Sequence, residues 1–152
     1  IFNTPSVGLR LFNVYGPGQR SNSVYAAVIP IFINRMLKKL PVTINGGFQT
    51  RDFIYIQDVI DIILIAMNKI QKQKKFHVFN LGTGRSVKID FLFQLIKKII
   101  AVNPRIIRKK LDKFDPKKSS GTYKGISKYL NLKKYNFTKL ENGLIKTIES
   151  MK

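Results

Sequence analysis

The chain reads as a mixed α/β fold with an incomplete parallel sheet, and three features carry that reading. Short apolar runs of strand character alternate with longer amphipathic runs of helical character along its whole length. Glycine turns close several of the short runs, at 46–47 and 82–84 among them. The strand-like runs are too few and too short to build a complete doubly wound sheet.

Taken in order, residues 6–14 (SVGLRLFNV) predict a strand with Val7, Leu9 and Leu11 alternating against Gly8 and Arg10, and Phe12 on the opposite face. A loop follows, YGPGQRSNS. Pro30 is tolerated in a helix only in its first turn, so the next helix begins near Ile29 and ends near Lys39. Residues 42–44 form a short strand, 45–49 a turn and 53–56 a second strand. From Gln57 to Ile70 the pattern is an amphipathic helix with Val59, Ile62, Ile63, Ala66 and Met67 on its apolar face. Residues 77–82 read as a buried strand and 86–89 as a short one, after which Asp90 caps a helix. Residues 106–111 offer an edge strand at best, 113–124 are lysine- and turn-rich, and helices at 126–132 and 140–151 close the chain.

At 152 residues, 44% hydrophobic and with eleven Phe, the chain is no disordered tail. It has no Cys, hence no disulfide and no thiolate ligand or nucleophile. No apolar run reaches the roughly 18 residues that span a bilayer, and no secretory leader is evident, so a cytoplasmic protein is expected. The absence of an initiating Met reads as a chain cut from something longer.

The net charge of +20 is extreme and uneven: residues 97–139 hold fourteen Lys or Arg against Asp112 and Asp115. Nucleic acid is the obvious partner for such a stretch. Its aromatics, Phe114, Tyr123, Tyr129 and Tyr135, fall at no spacing that builds a stacking platform. A lysine-rich composition on a solvated surface explains the charge equally, and nucleic acid is not the favoured partner.

Arg51 and Asp52 open the apolar run FIYI, and an arginine at the mouth of such a strand needs an anionic partner. Asp52 is one candidate and a ligand phosphate is the other. Neighbouring strand residues point to opposite faces, which favours the phosphate. A guanidinium presents a planar fork of donors that suits it.

Three segments in order, GLRLFNVYGPGQ (8–19), TRDFIYIQDV (50–59) and FNLGTG (79–84), together resemble the extended short-chain dehydrogenase/reductases. More narrowly they are similar to the NAD-dependent nucleotide-sugar epimerases and dehydratases. The resemblance implies the C-terminal portion of a Rossmann-type enzyme. Residues 6–25 and 53–82 would complete its sheet, and 26–52 with 83–152 would form its small substrate-binding subdomain. The N-terminal NAD-binding half, with its glycine fingerprint and catalytic Tyr-x-x-x-Lys pair, is absent from the sequence, and no catalytic residue is assigned. The turn at 82–84 lacks the third glycine of a dinucleotide fingerprint.

By the same resemblance, Arg51 contacts the substrate diphosphate and Asn13 bonds nearby, while Phe12 lies against the nicotinamide. Ala27 and Val28, at a helix start, meet the nucleotide, and Val42 and Ile44 wall the uracil. Plainer roles stand beside these: an Asx turn for Asn13, and ordinary packing for Phe12, Ala27, Val28, Val42 and Ile44. Asp58 is read as a helix-opening structural acid, His77 as a buried or edge histidine, and no metal site is indicated.

Two departures bear on the site. Asn45 and Gly46 replace the glycine and acid usual in the loop before Arg51, which changes the loop beside the nucleotide and leaves base selectivity open. No residue among 108–120 matches the family's second phosphate-binding arginine. The implied function is a UDP-glucose or UDP-N-acetylglucosamine 4-epimerase using NAD, homodimeric at full length, with this chain holding the UDP-sugar. The alternatives are an inactive gene remnant, a dehydratase or reductase of the family, and a basic nucleic-acid-binding module.

Overall fold

A computed structural model describes residues 5–22, 27–70, 76–132 and 134–152. Strand β1 (Ser6–Leu11) runs parallel to β5 (Phe76–Leu81), with Ser6 opposite Phe76 and Leu11 opposite Leu81. After Phe12 the chain changes partner. Strand β2 (Asn13–Tyr15) pairs in parallel with β4 (Thr50–Tyr55), which pairs antiparallel with β6 (Ser86–Lys88). A third pair, β3 (Val42–Asn45) with β7 (Ile106–Lys109), is parallel and leaves β7 at an edge. The sheet is thus partly parallel and in pieces.

Helix α1 (Val28–Leu37) carries Pro30 in its first turn, where the missing N–H costs no hydrogen bond. Helix α2 (Ile56–Ile70) follows β4 without a break, and α3 (Ile89–Ile100) follows β6. Two shorter helices, α4 (Lys124–Leu130) and α5 (Leu140–Glu149), complete the order. Strand β4 separates two cores. One gathers α1, β3, α3 and α5 around the edge-to-face rings of Phe32 and Phe93, 5.7 Å apart. The other joins Ile54, Val59, Ile62, Leu81, Ile126 and Phe137.

Some apolar faces lie elsewhere than expected. On α2, Val59, Ile62 and Ala66 are buried, but Ile63 is 37% and Met67 58% exposed, so the apolar arc is wider than what covers it. Strand β5 is not a buried strand: among its residues only Leu81 is fully covered. Its one partner among the described residues is β1, whose Leu11 is open too. Asp90 is not the cap of α3, because Lys88 holds that position. The Asp90 carboxylate sits in the first turn and takes a bond from Arg108 at 2.6 Å.

Candidate functional site

Strand alternation settles the pairing of Arg51 and Asp52. The two side chains leave β4 on opposite faces, and each finds its own partner. Asp52 is fully buried. Its carboxylate accepts the N–H of Thr83 at 3.1 Å, of Gly84 at 2.8 Å and of Gly121 at 2.9 Å, together with the Thr83 hydroxyl. Gly82 and Gly121 approach so closely there that a Cβ on Gly82 would stand 2.7 Å from the Gly121 Cα. The glycine turn at 82–84 is therefore a carboxylate-organised joint. The N–H groups of Thr83 and Gly84 are spent on Asp52, so this turn does not fit a dinucleotide pyrophosphate.

Arg51, on the other face, is held by the segment after β7. It donates to the Pro116 and Thr50 carbonyls, each at 2.8 Å, and pairs with the Asp115 carboxylate. The ion pair with Asp52 that adjacency suggests does not form. Arg51 and Asp115 both stand in the wall of one cavity of about 330 Å³.

Four further elements converge on that cavity. Asn13 projects from β2, and its amide donates to the Asp52 carbonyl at 3.0 Å. That bond ties the two strands and leaves the side-chain oxygen uncommitted among the described residues. Ala27, the residue before α1, is extended and offers no side chain to cap the helix, and α1 carries no acid in its first turn. N–H groups with no partner among the described residues and the positive end of the helix dipole thus reach the cavity beside Val28 and Ile29. Strand β3 contributes Thr43 and Asn45. Gln49, 5% exposed, shapes the loop behind them by donating to the Asn45 carbonyl and accepting the Gly47 N–H, both at 2.7 Å.

Phe32, Phe53 and Ile89 supply apolar wall, and Tyr15 lines the cavity with its phenol bonded to the Leu140 carbonyl at 3.3 Å. Burial pushes that phenol well above its ordinary range, and the charges of Asp58 and Tyr55 add to the effect. The site therefore offers an apolar wall, amide and hydroxyl donors, one guanidinium, one carboxylate and an uncapped helix end. It is suited to binding a ligand with an anionic group and several hydroxyls.

Of the residues expected from sequence, Arg51, Asn13, Ala27 and Val28 come together here. Val42 and Ile44 do not: both are fully buried in the core under α1 and α3. The alternating residues, Thr43 and Asn45, face the cavity instead, and the period-two rule on a half-buried strand is the signal that finds them. Phe12 is also absent from the lining, and its ring lies beside Gly82 and Gly121 in the joint.

Asp58 is structural by a tertiary route. It accepts from the Thr138 N–H and hydroxyl at 3.0 and 2.9 Å and from the Tyr135 phenol at 3.2 Å. His77 is half-buried between the rings of Phe79 and Tyr129. Asp115 had no local signal. Only its position among the cations marked it, and its partner is 64 residues away.

Comparison with known proteins puts this geometry in a family context. The family model described as NAD dependent epimerase/dehydratase family matches residues 2–82. A crystal structure of UDP-glucose 4-epimerase with UDP-glucose from Thermotoga maritima is 36% identical and superimposes with a TM-score of 0.84, over 95% of this chain and 45% of that one. The Thermus thermophilus UDP-glucose 4-epimerase in complex with NAD is 25% identical with a TM-score of 0.78, over 95% and 45%. The dTDP-4-dehydro-6-deoxyglucose reductase of Escherichia coli is 33% identical over 96 residues, 62% of this chain and 29% of that protein. The chain thus spans less than half the length of these relatives. In the described residues no helix is long and apolar enough to cross a membrane.

Proposed function

The chain belongs to the NAD dependent epimerase/dehydratase family, and from that premise we propose that it forms the nucleotide-sugar-binding part of a 4-epimerase acting on UDP-glucose or UDP-N-acetylglucosamine. The observation that supports this reading is the convergence of Arg51, Asn13 and the uncapped start of α1 on one cavity. The diphosphate lies against the Arg51 fork and the N–H groups of Val28 and Ile29, a charge-assisted arrangement that releases Arg51 from Asp115. Asn13 bonds a phosphate or sugar oxygen. Thr43 and Asn45 meet the nucleoside, which makes Asn45, a departure from the family's usual glycine, a determinant of base choice. Residues 26–52 supply most of this wall, with help from β2 and from Asp115.

NAD bound to the rest of a full-length 4-epimerase would supply reversible hydride acceptance from the sugar. The N–H groups of the 82–84 turn are spent on Asp52. The Tyr-x-x-x-Lys spacing at Tyr135 and Lys139 is structural, its phenol bonded to Asp58 and Asp61 away from the cavity, so the steps assigned to this chain are binding and orientation. A related reductase is a match of comparable identity, and the 4-epimerase reading leans on the likeness to UDP-glucose and UDP-N-acetylglucosamine 4-epimerases. A second reading, binding without turnover as a remnant of such an enzyme, draws on the open apolar faces of β1, β5 and α2.

Calorimetric titration with UDP-glucose tests the proposal. Arg51→Ala is expected to weaken binding roughly 10- to 100-fold, the worth of one charge-assisted pair. Affinity unchanged in that variant would sink it. Conversion of UDP-glucose to UDP-galactose in the presence of NAD separates the enzyme from the remnant.

A further inference from the structure

Along the chain, the cations of 97–139 come without evenly spaced aromatics. Tyr123, Tyr129 and Tyr135 pack against the second core and are spent there. The fold, however, brings Phe48, from the loop before β4, to the same groove as Phe114. The two rings are 53% and 83% exposed. The groove holds about 720 Å³ and runs from the edge strand β7 along the turn at 111–117. Lys109, Lys110, Lys113 and Lys117 line it with the two rings, and none of the four forms an ion pair among the described residues.

Two acids also line the groove, Asp112 and Asp115, against five cations, so its net charge stays positive. Asp115 is paired with Arg51 from the other cavity, and Asp112 accepts the backbone N–H of Phe114 at 2.8 Å. Arg108, the fifth cation of the groove, is paired with Asp90. The Lys113 ammonium lies 4.8 Å from the centre of the Phe114 ring, so charge and flat apolar surface are presented side by side.

We propose that this groove is a binding site for single-stranded nucleic acid, with phosphates along the four lysines and unstacked bases on Phe48 and Phe114. Exposed rings beside unpaired cations are the two components such a strand requires. A duplex keeps its bases stacked and could use only the charge. The aromatic pair lines a concave surface and does not project from an amphipathic helix, which favours a strand over a lipid surface. The inference stands apart from the nucleotide-sugar reading: the two sites share only Asp115 in their walls.

The test is fluorescence anisotropy of a labelled oligothymidylate with the purified protein across a salt series. Four phosphate contacts predict a log–log slope of roughly −3. Phe114→Ala changes no charge and removes an exposed ring, so the fold is not at risk, and it weakens binding about 5-fold or more. Lys113→Glu with Lys117→Glu abolishes binding at moderate salt, whereas the same charge change at the distant Lys128 and Lys152 leaves most of it. No binding at the lowest salt overturns the proposal. So does binding indifferent to Phe114→Ala and equally sensitive to both double variants, the mark of net charge alone. Phosphatidylserine vesicles captured in a Phe114-dependent way, with no oligonucleotide bound, would replace it with a lipid surface.

Discussion

Around Phe32 and Phe93, the residues Ile29, Ile33, Met36, Leu92 and Ile96 are each 1% exposed or less. Around β1 and β5, by contrast, Leu11, Val78 and Phe76 are 46%, 40% and 69% exposed, and Leu64 and Met67 on the neighbouring α2 are 53% and 58%. Both regions are built from similar alternations of apolar and polar residues. The first is a closed core, and the cavity lined by Arg51 is set into it. The second carries apolar surface that nothing in the described chain covers. A cavity whose walls hang on a closed core is pre-organised, which is what recognition of a nucleotide-sugar needs. An open apolar face contributes little stability where it stands.

That contrast can be broken by substitution. Phe93→Ala is expected to cost about 3–5 kcal/mol of unfolding free energy, measured by urea titration, because it empties a closed core. Equal costs for Phe93→Ala and for an exposed residue of the second region would remove the distinction. Asp52→Asn should follow, at about 2–3 kcal/mol, since it turns an acceptor of four bonds against the backbone donors of the joint between the regions.

A pH series sharpens the picture. Burial, with Asp58 next, raises the phenols of both Tyr15 and Tyr135. A raised folded value leaves stability unaffected below the ordinary tyrosine range and erodes it above, as unfolded tyrosines ionise first. The melting temperature should therefore hold up to about pH 10 and then fall. Tyr15→Phe should flatten that fall. At the small end, Met67→Ser on the open face of α2 should change stability by less than about 0.5 kcal/mol.

Much of this architecture was legible because periodicity reports directly on local structure. Pro30 located the start of α1, and the run after Arg51 marked β4. Periodicity says which face of an element is apolar, not whether anything covers it, and Ile63 and Met67 lie on the apolar face of α2 yet stay exposed. At the cavity, Arg51 and Asn13 stand together, and each is a polar side chain leading into an apolar run, a signal their own positions display. Val42 and Ile44 were chosen one residue out of phase, and strand alternation turns such a slip into the opposite face. Asp115 was invisible as the partner of Arg51, because the contact joins segments that only the tertiary fold brings together.

The cavity between β2, β3, β4 and the start of α1 is the proposed seat of the nucleotide-sugar. The most direct measurement is amide chemical-shift mapping of the ¹⁵N-labelled protein titrated with UDP-glucose. The predicted result is a saturable set of shifts centred on Asn13, Val28, Ile29, Thr43, Asn45 and Arg51. Saturable shifts centred on the Phe48–Phe114 groove, or on β1 and β5, with the cavity amides unmoved, would contradict it.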